Sequence, residues 1–401
     1  MVYDCWRPVK GEFVSTSRPE GGGQSLLRLI NSVAVLSALR ESGPATITDL
    51  TRVTRLSRPT VEAAVDDLVA QGWAAEHEAR GQRRVGRPAR RFVFRGDSGY
   101  VLGFDVGAHR VLGVLADLNG DTVHVAETRV DPRLDADARL SVVRDVGTRC
   151  LNTAGVDRSS VMAVAVGCPG IIASDGTVTL STVIPGWVDF PLARRLSRSF
   201  PCPVLVDNDA NLAALAERAH GVARDVDDLV YLLIGRRIGA GLVLGGRVHR
   251  GFGGAAGEIG LLDFATWERS RELLLGPATG DSGRSHDHRV TGRILDRARA
   301  GEADAVRIVD EFCAVLARQA VAMTLTVDPE MIVLGGGLAS AGDLLLPRLE
   351  KHISDVCVRT PRLAASTVGQ EAVVLGAVRL ALSAADEALQ QRAKAGVAAR
   401  G

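Results

Sequence analysis

The sequence has few cysteines, no long apolar run and hardly any lysine, with three lysines among its 48 basic residues. Its six cysteines show no CxxC or CxC spacing, which excludes a disulfide framework and argues against a thiolate zinc cluster. No stretch reaches the about 18 uninterrupted apolar residues of a membrane-spanning helix. The first residues, Met1–Pro8, include charged side chains and precede no apolar segment, unlike a secretory signal. These absences predict a cytoplasmic protein without membrane contact.

What the sequence does contain is enough apolar content for two or three domains. Its 401 residues, 46% hydrophobic and 24% charged, exclude a disordered chain and exceed the usual length of one domain. Residues 1–96 carry 15 Arg and Lys against 10 Asp and Glu, a net charge of +5, whereas residues 97–401 carry 33 against 37, a net charge of −4. A basic head before a mildly acidic body predicts a nucleic-acid-binding module joined to another kind of module.

The basic head contains three stretches of helical apolar periodicity. Residues 1–24 are polar and predict a mobile arm. Apolar spacing predicts a first helix from residue 26 to the Ser42-Gly43-Pro44 stop, a second from Thr46 to Thr54, and a third beginning at the N-cap Ser57. The residues expected to face inward in the second and third helices are Ile47, Leu50, Val53, Val61, Val65, Leu68 and Val69.

Helix, short helix, tight turn and helix is the order of a helix-turn-helix, whose last helix enters the DNA major groove with its amino-terminal residues foremost. Here those residues offer donors and an acceptor for base edges and phosphates. They are Ser57, Arg58, Thr60 and Glu62. A small helical linker bundle is the alternative interpretation of these three helices.

An arginine-rich hairpin follows and is typical of the wing of a winged helix. Its strands are predicted at Trp73–His77 and Arg91–Arg95. We expect Arg83 and Arg84 to contact phosphates and Arg87, within Gly86-Arg87-Pro88, to enter a narrow minor groove. A solvated loop is the alternative, but the order of elements and the basic hairpin together favour DNA binding.

From Tyr100 onward the pattern changes to alternating strands and helices. A set of three apolar strands with crossover helices occurs twice. The predicted strands are Val101–Val106, Val111–Asp117, Thr122–Val130, Val161–Gly167, Val204–Asp207, Asp228–Ile234, Ala240–Leu244, Arg247–Arg250 and Met331–Leu334, and the predicted helices are Ala136–Cys150, Ala210–His220 and Asp304–Val327. The predicted fold is therefore α/β: an N-terminal winged helix-turn-helix followed by two actin-like (ribonuclease-H-like) α/β lobes with a cleft between them.

Seven short motifs occur in order along the chain: Leu56-Ser57-Arg58-Pro59-Thr60-Val61, Gly86-Arg87-Pro88, Gly103-Phe104-Asp105-Val106-Gly107, Ile184-Pro185-Gly186-Trp187, Asp207-Asn208-Asp209-Ala210-Asn211, Gly257-Glu258-Ile259-Gly260 and Val333-Leu334-Gly335-Gly336-Gly337. In these motifs the chain resembles the ROK family (repressors, open reading frames and sugar kinases), and most of all the family's transcriptional regulators. The resemblance covers residues 25–382. The domains expected from it are an arm at 1–24, a winged helix at 25–96, lobe I at 97–220 completed by 373–395, and lobe II at 221–372.

The resemblance implies two phosphate loops in the family's kinases, and this chain departs from both. The first should read Asp-x-Gly-Gly-Thr-Lys, but Ala108, His109 and Arg110 replace its last three residues. The second should read Gly-Thr-Gly-Ile-Gly, but Arg236 and Arg237 stand at its second and third positions, where a γ-phosphate needs space. We therefore expect no cofactor and no kinase activity.

The resemblance also implies a catalytic base at Asp209 and a sugar-binding glutamate at Glu258. In this chain we expect Asp209 to be a vestigial base and an effector contact, together with Asn208, Glu258 and Gly170. The alternative for Asn208 or Asp209 is simply to cap the following helix.

The remaining sugar and zinc residues of the family are missing. Val183 stands where the family has a sugar-binding asparagine, and Leu261 replaces a histidine that also binds zinc. Because residues 265–290 contain no cysteine, we predict no zinc site. A replacement metal site at His286-Asp287-His288 is the alternative, against solvent-exposed polar residues.

The leading hypothesis is a transcriptional regulator, more consistent with a repressor than an activator, that binds double-stranded operator DNA as a homodimer or dimer of dimers. A sugar or sugar-phosphate effector in the cleft would change the spacing of two winged helices. Arg236 and Arg237 would suit a phosphorylated effector. The rivals are a scaffold without an effector, controlled by a protein partner, and an active ATP-dependent sugar kinase.

Overall fold

The computed structural model describes residues 22–77, 89–235, 237–262, 264–275 and 288–398. The chain divides into two compact units. One comprises residues 1–95 with 389–401 and is called the amino-terminal unit below; the other comprises residues 96–388 and is called the body. No helix in the described part of the chain is long and apolar enough to cross a membrane.

The amino-terminal unit is a three-helix cluster with a small antiparallel sheet. Its elements are α1 (Gly22–Ser42), β1 (Ala45–Thr46), α2 (Ile47–Thr54), α3 (Arg58–Ala70), β2 (Ala74–His77) and β3 (Arg91–Phe94). The sheet order is β1-β3-β2, so β3 lies between the two-residue β1 and the hairpin partner β2. Of the predicted arm, residues 1–21 lie outside the described residues, and α1 begins at Gly22.

Local capping fixes the ends of α2 and α3. Thr46 and Asp49 form a capping box at the start of α2, and the backbone of Arg55 turns left-handed (φ 58°) to end the helix. Ser57 caps α3 as predicted. The inward positions of Val53 and Val69 were predicted wrongly, since their exposed fractions are 52% and 41%. Helix α2 has only about two turns, and its fully buried Leu50 packs into the core. Val53, near the end of the helix, is exposed to solvent.

The first half of the body is a five-stranded mixed sheet with helices. Its elements are β4 (Tyr100–Val106), β5 (Arg110–Asp117), β6 (Thr122–Arg129), α4 (Ala136–Ala154), β7 (Val161–Cys168), β8 (Ile171–Ile172), β9 (Val178–Leu180), β10 (Val188–Phe190), α5 (Leu192–Leu196), β11 (Val204–Asn208) and α6 (Asp209–His220). The sheet order is β11-β7-β4-β5-β6, and β8, β9 and β10 form a separate small sheet that the sequence did not predict.

The second half repeats this arrangement with the order β14-β13-β12-β15-β16. Its elements are β12 (Leu229–Ile234), β13 (Ile238–Leu244), β14 (Arg247–Val248), α7 (Phe264–Leu275), α8 (His288–Arg299), α9 (Ala303–Val327), β15 (Met331–Gly336), α10 (Gly342–Ser354) and β16 (Arg362–Ala365). Helix α11 (Ala372–Ala398) follows and packs back on the first half, where a Cβ on Gly103 of β4 would lie 2.8 Å from the Val378 amide nitrogen. In each sheet three antiparallel strands are extended by two parallel strands, and this repeat confirms the predicted fold class of a winged helix followed by two actin-like lobes.

Close backbone contacts join α6 to elements of both halves. A Cβ on Gly241 of β13 would lie 2.1 Å from the Ala210 carbonyl oxygen, and a Cβ on Gly376 of α11 would lie 1.9 Å from that of Leu212. Only glycine permits such an approach. The start of α6, which carries Asp209, is therefore packed directly against β13 and fixed in position.

Candidate nucleic-acid interface and effector site

The amino-terminal turn of α3 presents the residues predicted to read DNA. The Ser57 hydroxyl accepts a hydrogen bond from the Thr60 amide (3.4 Å) and lies 2.7 Å from the Thr60 hydroxyl. The Arg58 guanidinium donates to Glu62 (2.9 Å) while two thirds of its side chain (67%) is exposed. Ser57 and Thr60 thus shape the turn, and Arg58 is the exposed charge that can exchange Glu62 for a base or phosphate.

Two further arginines lie beside this turn and were missed by the sequence reasoning. Arg52, in the last turn of α2, has an 80% exposed side chain and donates to Asp49 (3.3 Å). Arg55 is exposed at the left-handed turn between α2 and α3. Their signal was the basic charge immediately flanking the predicted turn, where helix-turn-helix proteins meet the DNA backbone.

The three predicted wing residues, Arg83, Arg84 and Arg87, lie outside the described residues and stay predictions. The base of the hairpin is described. There Arg90 donates to Glu76 (2.8 Å) and its guanidinium lies 5.2 Å from the Phe92 ring centroid. Arg90 is thus engaged in the hairpin itself through an ion pair and a cation–π contact.

In the body, parallel strands bring polar residues together at one sheet edge. Strands β4 and β11 flank β7 and run parallel to it, so that Asp105 and Asp207 both lie opposite Gly167. Carboxyl ends of parallel strands are where α/β proteins bind ligands. The predicted residues Asn208 and Asp209 follow directly at this edge.

Asn208 caps α6 and contacts a second predicted residue, Gly170. Its side-chain oxygen accepts from the amides of Ala210 (2.8 Å) and Asn211 (3.3 Å), and its side-chain nitrogen donates to the Gly170 carbonyl (3.0 Å). Asn208 is therefore the cap of the helix, which was the alternative interpretation of Asn208 or Asp209. Asp209 also accepts from the Ala210 amide (2.9 Å), but Asn208 already caps the helix without it.

Three acidic side chains form a cluster at this edge, called here the acidic cluster: Asp105, Asp209 and Glu258. Burial, reinforced by the charges of Asp105 and Glu258, raises the pKa of Asp209 to about 7. Burial also raises the pKa of Asp105 and that of Glu258, against the opposing charges of Arg110 and Arg237 respectively. Such partly desolvated carboxyl groups are suited to hydrogen-bonding the hydroxyls of a polar ligand.

The first phosphate-loop position is closed by arginines. Arg110 donates to Asp105 (3.3 Å) and, through the same nitrogen, to the carbonyl of Gln370 (2.9 Å). Fully buried Arg139 donates to the Gly107 carbonyl (2.7 Å), and the Gly107 amide donates to the Arg110 carbonyl (2.9 Å). The backbone amide and carbonyl of Gly107 are thus both hydrogen-bonded within the protein. In the second loop, Arg236 lies outside the described residues.

The residues at the family's zinc position do not fit a zinc ion. Leu261, in place of the histidine, has an exposed fraction of 61%. Helix α7 follows and buries Trp267 and Arg271; Arg271 pairs with Glu268 (2.6 Å), and the Trp267 ring packs against Phe312 (centroids 5.5 Å apart). Within the described ranges no cluster of three potential metal ligands occurs, and His286 and Asp287 lie outside them.

Comparison with known proteins matches both parts of the chain. The model of the ROK family matches residues 101–270 and 276–384, and the model of the MarR family matches residues 30–85. A xylose repressor of Caldicellulosiruptor bescii is 25% identical over 90% of this chain and 98% of its own length. A glucokinase of Halalkalibacterium halodurans is 28% identical over 69% of this chain and 93% of its own length.

A solved structure shows the same fold over nearly the whole chain. It is a ROK family transcriptional regulator, described as a homolog of the E. coli MLC protein, with a TM-score of 0.73 and 21% identity over 92% of this chain and 99% of that one. Because the ROK model matches well over half of its residues, this chain belongs to the ROK family and carries a MarR-type winged helix ahead of its ROK body.

Proposed function

We propose that this chain is a DNA-binding transcriptional repressor whose winged helix reads an operator and whose body responds to an effector. One observation carries the proposal: similarity to the xylose repressor spans 90% of this chain, winged helix and body together, whereas similarity to the glucokinase covers 69%. A repressor that binds operator DNA acts in the cytoplasm, where the chromosome of a bacterium lies.

In this proposal α3 enters the major groove. Arg58 reads a base edge, Thr60 contacts a base or phosphate, and Ser57 holds the turn that presents both. Arg83, Arg84 and Arg87 of the wing contact the backbone and the minor groove. A homodimer, or a dimer of dimers, places two such helices about 34 Å apart on a palindromic operator.

The effector binds at the acidic cluster, where Asp209 and Glu258 accept hydrogen bonds from its hydroxyl groups. Asn208 and Gly170 shape the sheet edge beside them. Carboxylates that bind several hydroxyl groups favour a sugar as the ligand. D-xylose is the first to test, because the relative that matches 90% of this chain is a xylose repressor. A sugar phosphate is the second candidate, supported by Arg237 beside Glu258. Binding shifts the operator-binding equilibrium by linkage between the two sites.

Phosphoryl transfer is not part of the proposed function. The Asp105 carboxylate is paired with Arg110, which replaces the family's lysine, and arginines replace small residues in the second phosphate loop. A coupled assay with ATP, Mg²⁺ and a panel of hexoses should give no turnover above background. Turnover on any of these sugars would overturn this part of the proposal.

The decisive experiment selects genomic fragments bound by the purified protein, with and without pools of sugars and sugar phosphates. Enriched palindromes that one pool member releases would establish an effector-gated repressor. Palindromes that no pool member releases would instead support a scaffold controlled by a protein partner. Absence of enrichment would contradict the proposal as a whole.

A further inference from the structure

One ion pair connects the two halves of the body next to the acidic cluster. Asp207, at the end of β11, lies in the first half, and Arg250, just after β14, lies in the second. The Arg250 guanidinium donates to one Asp207 oxygen through both Nη2 (2.5 Å) and Nε (3.0 Å). This pair is not part of the effector contacts proposed above.

Asp207 organises the start of α6. Its other oxygen accepts from the Asn208 amide (2.8 Å) and from the Asn211 side chain (2.9 Å). The carboxylate therefore holds the residues on both sides of Asp209. Its side chain is only 2% exposed, so these donors and Arg250 take the place of water around the carboxylate.

Arg250 begins the loop that leads to Glu258. The loop closes on itself where the Ala256 amide donates to the Arg250 carbonyl (3.2 Å). It also lies against the first half, since a Cβ on Gly254 would be 2.0 Å from the Ile172 carbonyl oxygen. Its far end is fixed to β13, where the Ala240 amide donates to the Gly257 carbonyl (2.8 Å).

We infer that the Asp207–Arg250 ion pair is a latch that holds the Glu258 loop against the start of α6 and so sets the spacing between Asp209 and Glu258. Arg250 is then a positioning residue for the effector site. The inference deepens the proposed function and rests on it, because the acidic cluster is the proposed effector site. The Arg250 side chain is 44% exposed, so the guanidinium is accessible to water while its carboxylate partner is buried.

The test is hydrogen–deuterium exchange of the full-length protein alone, in three variants. Arg250→Met removes the positive charge. Arg250→Lys keeps the charge but replaces two donating nitrogens by one. Arg247, three residues earlier on β14, is also an exposed arginine, so Arg247→Met is the matched control. In Arg250→Met we expect exchange to rise about tenfold in residues 207–212 and 249–258, the factor typical of losing one charge-assisted hydrogen-bonded pair.

The lysine variant should fall between wild type and Arg250→Met, and Arg247→Met should match wild type. Unchanged exchange in both segments of Arg250→Met would overturn the latch, and so would a uniform rise throughout residues 96–388, since that would indicate general stabilisation only. Should Arg250→Met fail to fold, Arg250→Lys against Arg247→Met gives the same comparison. The measurement needs neither DNA nor sugar, so a failed latch leaves the proposed repressor function untouched, and the reverse also holds.

Discussion

The amino-terminal unit and the body present their candidate functional charges in opposite ways. Arg58 and Arg52 have side chains that are 67% and 80% exposed, and each is paired with a carboxylate on its own helix. Asp105 and Asp207 have side chains that are 14% and 2% exposed and are paired with arginines from other elements. Solvated charges suit a polyanion bound by counterion release, whereas buried carboxylates paired with arginines suit a site of fixed geometry for a small polar ligand.

The contacts around the two candidate sites also differ in how far apart in sequence the contacting residues lie. At the caps of α2 and α3, Ser57 contacts Thr60 and Thr46 contacts Asp49, each three residues away, although Arg28 of α1 contacts Asp67 across 39 residues. In the body, Arg250 contacts Asp207 across 43 residues and Arg110 contacts Gln370 across 260. Mutations in the caps of α2 and α3 should therefore act locally, whereas mutations of Arg250 or Arg110 should act on segments that are distant in sequence.

The largest expected effect is on the stability of the body. Trp267, 1% exposed and packed on Phe312, lies where the family has its zinc loop. Trp267→Ala should lower the free energy of unfolding by about 3–5 kcal/mol, because it removes a large buried side chain and leaves a cavity. Denaturant unfolding followed by circular dichroism measures the change.

Leu325→Ala is the control for this variant, since Leu325 is 63% exposed and should change stability by less than about 0.5 kcal/mol. A zinc chelator should leave the midpoint of wild type unchanged. A lower midpoint with the chelator would contradict the prediction of no zinc site, and equal effects of the two substitutions would contradict the role of Trp267 in the core.

In the amino-terminal unit, the exposed charges should affect DNA binding and leave folding intact. Arg58→Ala should reduce discrimination between operator and mutated operator by about 1–3 kcal/mol, the value of one base contact. Arg83→Ala or Arg84→Ala should weaken binding to all sequences alike and flatten the salt dependence. Fluorescence anisotropy at several salt concentrations separates the two outcomes, with exposed Arg198→Ala of the body as control. Identical behaviour of both sets would show that α3 is not the reading helix.

The short-range contacts explain why the amino-terminal unit could be predicted well from the sequence. A serine before Arg58-Pro59 favours a helix start, and Ser57 does cap α3. Val53 and Val69 were misplaced because apolar spacing defines a helix face without showing how wide the neighbouring core is. The two-residue β1 was missed because so short a strand has no alternation to detect.

The body's strands were also predictable, because short, fully buried apolar runs such as that of β7 leave few alternatives. The partners of its charged residues were not. No spacing rule links Arg250 to Asp207 or Arg110 to Gln370, since strand order decides which loops meet. The missing zinc ligands could be read from the sequence, but buried Arg271 and Trp267 in their place required the packing of α7 on α9.

A smaller effect should appear in the pH dependence of the body. The folded-state pKa of Asp209, about 7, lies above the ordinary value of 3.8, so the folded chain binds this proton more tightly than the unfolded chain. Stability therefore falls as pH rises through 7. Asp209→Asn should raise the free energy of unfolding by about 1–2 kcal/mol at pH 8, less than full burial would give, because the side chain is half-buried.

This gain should narrow at pH 5, where wild-type Asp209 is protonated in the folded state. Denaturant unfolding at pH 5, 6, 7 and 8 tests it. The charges of Asp105 and Glu258 both raise the pKa of Asp209. Asp105→Asn should therefore lower the pKa of Asp209 and shift the pH dependence of stability to lower pH. A gain that does not depend on pH would assign the effect to packing and contradict the charge argument.

The smallest effect should come from the cap that presents the reading helix. Ser57→Ala removes the acceptor for the Thr60 amide and should lower the free energy of unfolding by about 1 kcal/mol, whereas Ser57→Gly should cost a few tenths. Both variants lose the 2.7 Å contact with the Thr60 hydroxyl. If the hydroxyl of Ser57 also contacts DNA, both should lose operator affinity equally despite unequal stability. If operator affinity instead follows stability, Ser57 acts only through the turn, and Arg58 and Thr60 alone read the operator from α3.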